Sequence, residues 1–128
     1  MILVDTSIWI RWFRGGPIER PNPGQMAGVA TCSSILQELL QGFKDIPNFS
    51  QIRNELLAVP RLTDPVPVEA FLEAAEVYRM VSRKGFTIRS SVDCLIAVTA
   101  MRNDVPVMHA DRDFDVIARF TSLRIAKL

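Results

Sequence analysis

Cysteine and histidine are scarce: 128 residues hold two cysteines and one histidine. Cys32 and Cys94 lie far apart, match no zinc spacing and have no histidine pair to help them, so a zinc site is excluded. Both sit among apolar neighbours, the setting of buried, reduced thiols. Long hydrophobic runs are missing too. No stretch approaches the roughly 20 apolar residues that a membrane span needs. The opening "MILVDTSIWIRWF" lacks a basic start and is broken by Asp5, unlike a signal peptide. The expected compartment is the cytoplasm, with no membrane attachment. An excess of one charge is also lacking. The net charge of +1 rules out a uniformly basic surface and leaves only local patches for nucleic acid.

What is present describes a folded chain: 48% hydrophobic and 23% charged residues are too apolar for a disordered protein. The length fits one domain, 1–128, able to bury a core without disulfides. Residues 2–4, "ILV", form a continuous apolar run suited to a strand buried on both faces. Thr6 or Ser7 is positioned to cap a helix carrying Ile8, Trp9, Ile10, Trp12 and Phe13. Residues 15–25 hold three prolines and three glycines and read as a loop. A short strand near 28–32 precedes a helix capped by Ser33 or Ser34, with Ile35, Leu36, Leu39, Leu40 and Phe43 inward. After Pro47 a helix fits Phe49, Ile52, Leu56 and Leu57, and "VPRLTDP" is extended. A long helix covers "VEAFLEAAEVYRMVSRKG", with acids early and bases late. Then come a helix at 91–103, a strand at 105–109, a helix at 112–120 and a strand at 123–127. Strands alternating with helices predict an α/β domain with a mainly parallel sheet.

The aspartates are informative in this frame. Asp5 and Asp111 each directly follow an apolar strand candidate, so both project at the sheet edge where open α/β folds bind ligands. Asp93 shares its helix face with Ile96, Ala97, Ala100 and Met101, which aims it at the protein interior. Burying an ionised carboxylate costs several kcal/mol or more, in rough terms, unless a cation or a hydrogen-bond network compensates it. Something positive belongs opposite Asp93; the plainer role is a helix N-terminal acid bonded to backbone N–H groups. Glu38, on a leucine-rich helix, reads alone as a solvated acid. Taken as a set, hard oxygen ligands favour Mg²⁺ or Mn²⁺ over zinc or copper. Such ions support phosphodiester hydrolysis.

Four segments in order, "ILVDTSIWI", "SSILQELLQGF", "IRSSVDCLIAVTA" and "VMHADRDFDVIA", give the chain a close resemblance to PIN-domain ribonucleases, most of all the VapC-type toxins of toxin–antitoxin pairs. They span almost the whole chain. The resemblance implies a three-layer α/β/α fold and a metal-dependent endoribonuclease. It implies that Asp5, Glu38, Asp93 and Asp111 form the catalytic pocket. Asp5, Asp93 and Asp111 would contact Mg²⁺ or Mn²⁺, and Glu38 would hold or orient water. By the same resemblance Thr6 would be the small polar residue that helps orient the pocket and Asp113 would add charge to it, whereas Asp115 is expected to face solvent. The implied partners are an RNA substrate, an antitoxin that blocks the pocket, and a second copy in a homodimer.

Other residues carry two readings each. His109 either bonds a pocket carboxylate or metal, or is a satisfied histidine at a strand end. Arg79, Arg83 and Lys84 meet RNA phosphates or form a solvated helix end, while Arg89, just before Asp93, is the stronger RNA-binding candidate. Trp9, Trp12 and Phe13 read as core or interface before they read as base-stacking residues. Two other functions compete with the nuclease. An aspartyl-phosphate enzyme would use the aspartate after the first strand as nucleophile, but the second aspartate expected two residues later is Ser7. A non-catalytic PIN-fold module binding RNA or protein would tend to lose pocket acids that this chain keeps.

Overall fold

A computed structural model describes residues 1–15, 21–43 and 46–127. The elements run β1 (Ile2–Val4), α1 (Thr6–Arg14), α2 (Pro23–Met26), β2 (Val29–Ala30), α3 (Ser33–Gly42), α4 (Phe49–Leu57), α5 (Val68–Arg83), α6 (Ser91–Arg102), β3 (Val107–Met108) and α7 (Arg112–Phe120). The three strands are all parallel, in the order β2-β1-β3. Ile2 pairs with Val29, and Leu3 with both Ala30 and Val107. Single parallel bridges extend each edge, Thr31 with Arg61 and Val107 with Ile125. Helices complete the three-layer α/β/α fold.

Leu3 and Val4 of the central strand are wholly buried, which explains why residues 2–4 show no polar alternation. The expected strand at 123–127 is reduced to the bridge at Ile125, held by Val107 N–H to Arg124 O and Ala126 N–H to Val107 O. Only the edge position is occupied there, so a single rung forms and no second strand extends it. The "VPRLTDP" segment, expected to be extended, is so only around the bridge at Arg61, where Pro60 and Leu62 backbone groups bracket Thr31; beyond it the chain bends through residues 62–65, with Thr63 at φ +54°. Within the 15–25 loop, α2 forms because Asn22 and Gln25 cap it reciprocally; residues 16–20 lie outside the described residues.

Two caps differ from expectation. Asp5, not Thr6 or Ser7, caps α1 by accepting from Ser7 N–H. Cys32, not Ser33 or Ser34, stands at the start of α3 and makes no side-chain cap bond. The C-terminal end of α1 follows the glycine rule, since Gly15 has φ +67°.

Trp9 and Trp12 are core residues. Trp9 donates from Nε1 to Val4 O at 3.1 Å, meets Trp12 edge-on, and stacks on Phe13. Burial removes both tryptophans from base stacking. The inward residues of α3 are as expected, with Ile35 and Leu39 fully buried. On α4, Ile52 and Leu56 are buried but Leu57 is exposed. Helix α6 is buried on nearly every side, through Cys94, Ile96, Ala97, Val98, Thr99 and Ala100. It packs beside α5, α7 and α3, which sets the position of Asp93. Cys32 and Cys94 are buried and free, as expected.

Candidate active site

The chain leaves β1 toward β2 on one side, and leaves β3 toward the bridge at Ile125 on the other. Connections that diverge from neighbouring strands open a crevice at their carboxyl ends. Asp5 and Asp111 are the residues at that crevice. Asp5 N–H makes a rung with Met108 O at 3.0 Å, and its side chain turns into α1 as the cap. Asp111 caps α7 by accepting from Asp113 N–H.

A hydroxyl closes this crevice. Ser7 Oγ donates to Asp5 Oδ2 at 2.5 Å and accepts from Ala110 N–H at 3.0 Å, tying the exit of β1 to that of β3. Ser7 was not among the site residues expected from sequence. Its place two residues from Asp5 was legible, but Ala110 lies 103 residues away. Thr6, the neighbouring hydroxyl, donates to Glu38 Oε1 at 3.3 Å, which draws α3 to the same place.

From the far side, α6 brings Asp93, only 6% exposed, and α7 brings Asp113, 0% exposed. Carboxylate oxygens of Asp93, Asp111 and Asp113 come within 4.8 Å of one another. The trio expected from sequence was Asp5, Asp93 and Asp111; Asp113 completes the tight group here, and Asp5 stands beside it, held by Ser7. Asp113 Oδ2 accepts from Arg89 N–H at 2.9 Å. Asp93 Oδ2 and Asp113 Oδ1 are buried with no hydrogen-bond partner.

Electrostatics reflect this crowding. Burial, then repulsion from Asp5, Asp111, Asp113 and Glu38, pushes the Asp93 carboxyl up to about 8. Burial also raises Asp5, against the lowering effect of its Ser7 bonds, and burial together with Asp5 raises Glu38. The Cys94 thiol is pushed up to about 11 by burial and by Asp93, so it is no nucleophile near neutrality. Among the described residues, no basic side chain forms an ion pair with Asp93. Orphaned buried oxygens in an all-carboxylate group fit a hard divalent cation.

Two further residues frame Asp111. His109 Nδ1 accepts from Asp111 N–H at 3.0 Å, which places the ring proton on Nε2, 3.1 Å from Asp115 Oδ1. His109 is thus a satisfied strand-end histidine that fixes the Asp111 backbone. Asp115 is exposed, as expected, yet it anchors this ring. Arg89 reaches Asp111 Oδ1 from Nη2 at 3.3 Å, and its Nε lies 3.8 Å from Asp113 Oδ1. Arg79 pairs with Glu76 on its own helix.

A crevice of acids at the carboxyl ends of parallel strands, on an α/β/α frame, is an arrangement suited to phosphodiester cleavage. Residues 2–120 match the family model of the PIN domain, and the chain belongs to that family. It is 37% identical over 132 aligned residues to VapC ribonuclease Mb1587 of Mycobacterium bovis, with 98% of each chain covered. The same figures relate it to Ribonuclease VapC11 of Mycobacterium tuberculosis. Solved structures share the fold. VapBC2 from Rickettsia felis, crystallised with a promoter DNA fragment, gives a TM-score of 0.70 at 18% identity, covering 98% of both chains. VapBC-5 from Mycobacterium tuberculosis, of the VapBC family of toxin–antitoxin systems, gives 0.66 at 22%, covering 98% of this chain and 97% of the other.

Proposed function

We propose that the chain is a metal-dependent endoribonuclease and the toxin of a toxin–antitoxin pair, with Asp5, Glu38, Asp93 and Asp111 as its catalytic acids. The observation that carries this reading is the gathering of acids from β1, α3, α6 and the β3–α7 junction around two orphaned buried oxygens. The names of the VapC relatives support RNA as the substrate. The VapBC structures support an antitoxin as partner.

Asp5, Asp93 and Asp111 would hold Mg²⁺ or Mn²⁺, with Asp113 beside them. When bound, such an ion supplies Lewis acidity toward a phosphate oxygen and makes its water more acidic. Glu38, oriented by Thr6 and with its carboxyl raised by burial and by Asp5, is suited to hold the attacking water and accept its proton. Ser7 and His109 act as positioning residues, through Asp5 and the Asp111 backbone. Arg89, which reaches Asp111, is placed to meet an RNA phosphate at the edge of these acids.

The same proposal includes a homodimer and a cytoplasmic setting. Val68, Phe71, Leu72 and Tyr78 of α5 are exposed, and beside α6 they form apolar surface that a second copy would bury. Among the described residues, no helix is long and apolar enough to cross a membrane.

The decisive experiment offers purified, antitoxin-free protein a mixed pool of structured and single-stranded RNAs in Mn²⁺ or Mg²⁺ and in EDTA. Discrete products are expected with metal only, and Asp93→Asn is expected to lower the rate by at least about a hundredfold. Cleavage that survives Asp5→Asn and Asp93→Asn unchanged sinks the assignment.

A further inference from the structure

The residue whose placement the nuclease reading leaves unexplained is Arg89. A guanidinium meant only for RNA would point into solvent, but this one leans onto the acids. Its backbone is fixed, because Arg89 N–H donates to the fully buried Asp113 at 2.9 Å. Its side chain is not: it is 65% exposed and touches the site by one 3.3 Å bond to Asp111. Its other approach, Nε to Asp113 Oδ1 at 3.8 Å, is too long for a hydrogen bond. This is a loose contact, far from the paired geometry that makes arginine–carboxylate bonds strong.

We propose that Arg89 is a built-in competitor of the site's metal ion: its guanidinium rests on Asp111 and Asp113 while no ion is bound, and gives up those carboxylates when one enters. The inference rests on the metal-site reading above. Both cations draw on the same residues, since Asp111 and Asp113 are two of the three whose oxygens lie within 4.8 Å of one another. A divalent ion there would face the guanidinium across a few ångströms, and like charges that close repel strongly in a partly buried setting. One guanidinium also leaves the crowded acids undercompensated, since Asp93 Oδ2 and Asp113 Oδ1 are buried without a hydrogen bond. The ion therefore wins the exchange. The backbone bond to Asp113 does not depend on the side chain, so a displaced Arg89 stays tethered at the rim of the site. Its guanidinium is then free for a substrate phosphate, and one residue serves two anions in succession.

Calorimetric titration of Mn²⁺ into the purified, antitoxin-free protein tests this without any measurement of cleavage. Arg89→Ala and Arg89→Gln, two variants in case one folds poorly, are expected to bind Mn²⁺ about three- to tenfold more tightly than the wild type. Arg112→Ala removes the same charge next to Asp111 but no carboxylate contact, because Arg112 forms no ion pair among the described residues. Its affinity is expected within about twofold of wild type. Asp93→Asn is expected to lose binding. Equal or weaker binding by both Arg89 variants, with Asp93→Asn still defective, overturns the competitor role and leaves the metal site standing. An equal gain in Arg112→Ala overturns it too, since net charge alone would then account for the effect. Absence of Mn²⁺ binding in the wild type and both Arg89 variants removes the metal site itself, and the competitor with it.

Discussion

At Asp93, burial and four neighbouring carboxylates act in one direction, and the carboxyl is pushed up to about 8 from an ordinary value near 3.8. In the metal-free protein it stays protonated where the unfolded chain has already ionised. The folded state therefore binds more protons between those two values, and stability falls as pH rises through that window. Asp5 and Glu38, also raised, add to the same slope. The metal-free protein is expected to resist urea better at pH 5.5 than at pH 8, by on the order of a few kcal/mol. Asp93→Asn, which has no charge to bury, is expected to flatten most of the difference. A wild-type stability that rises over this range would contradict the electrostatic picture.

Among the elements, α6 bears most directly on the site. It is buried on nearly all sides, and Ala97, one turn beyond Asp93, is wholly enclosed. Small residues there let α6 pack beside α5 and α7. Ala97→Leu would insert bulk into a filled interior and is expected to cost about 1–3 kcal/mol by urea denaturation. Because Asp93 is on the same face of the helix, cleavage should fall along with stability, beyond what the unfolded fraction explains. An unchanged rate in the folded variant would mean that α6 does not set the position of Asp93. The β3–α7 junction works differently, through polar bonds: His109 holds the Asp111 backbone, and Asp115 holds His109.

For the whole molecule, the proposed metal site would link folding to ion binding. Carboxylates forced together by the fold are absent as a group from the unfolded chain, so an ion that binds them stabilises the native state. Mn²⁺ at a hundred times its dissociation constant is expected to add about 2.7 kcal/mol. The gain should be larger at pH 8 than at pH 6 for a fixed Mn²⁺ concentration, because the ion must displace the Asp93 proton. Thermal unfolding in Mn²⁺ and EDTA at both values measures this. A shift that is the same at both pH values would show that Asp93 gives up no proton on binding.

Much of this was legible in the residues themselves. Apolar runs ending in Asp5 and Asp111 marked strands and the functional edge together, because buried parallel strands need continuous hydrophobicity and their carboxyl ends collect ligands. The face shared by Asp93, Ile96, Ala97 and Ala100 marked an inward acid, since helical spacing fixes which side chains point together. The sequence did not indicate which residue caps α1, since Asp5, Thr6 and Ser7 are all good caps, and in the fold Asp5 caps it while Ser7 turns to the β3 exit. Nor did it show that Asp113 joins the tight group, that His109 and Asp115 brace Asp111, or that Arg89 leans inward. Those are contacts between residues that sequence separates and folding brings together, and local pattern carries no information about such distances. The chemistry of the acids was set by the sequence; which of their oxygens face one another was decided by the packing of α6 and α7 against the exits of β1 and β3.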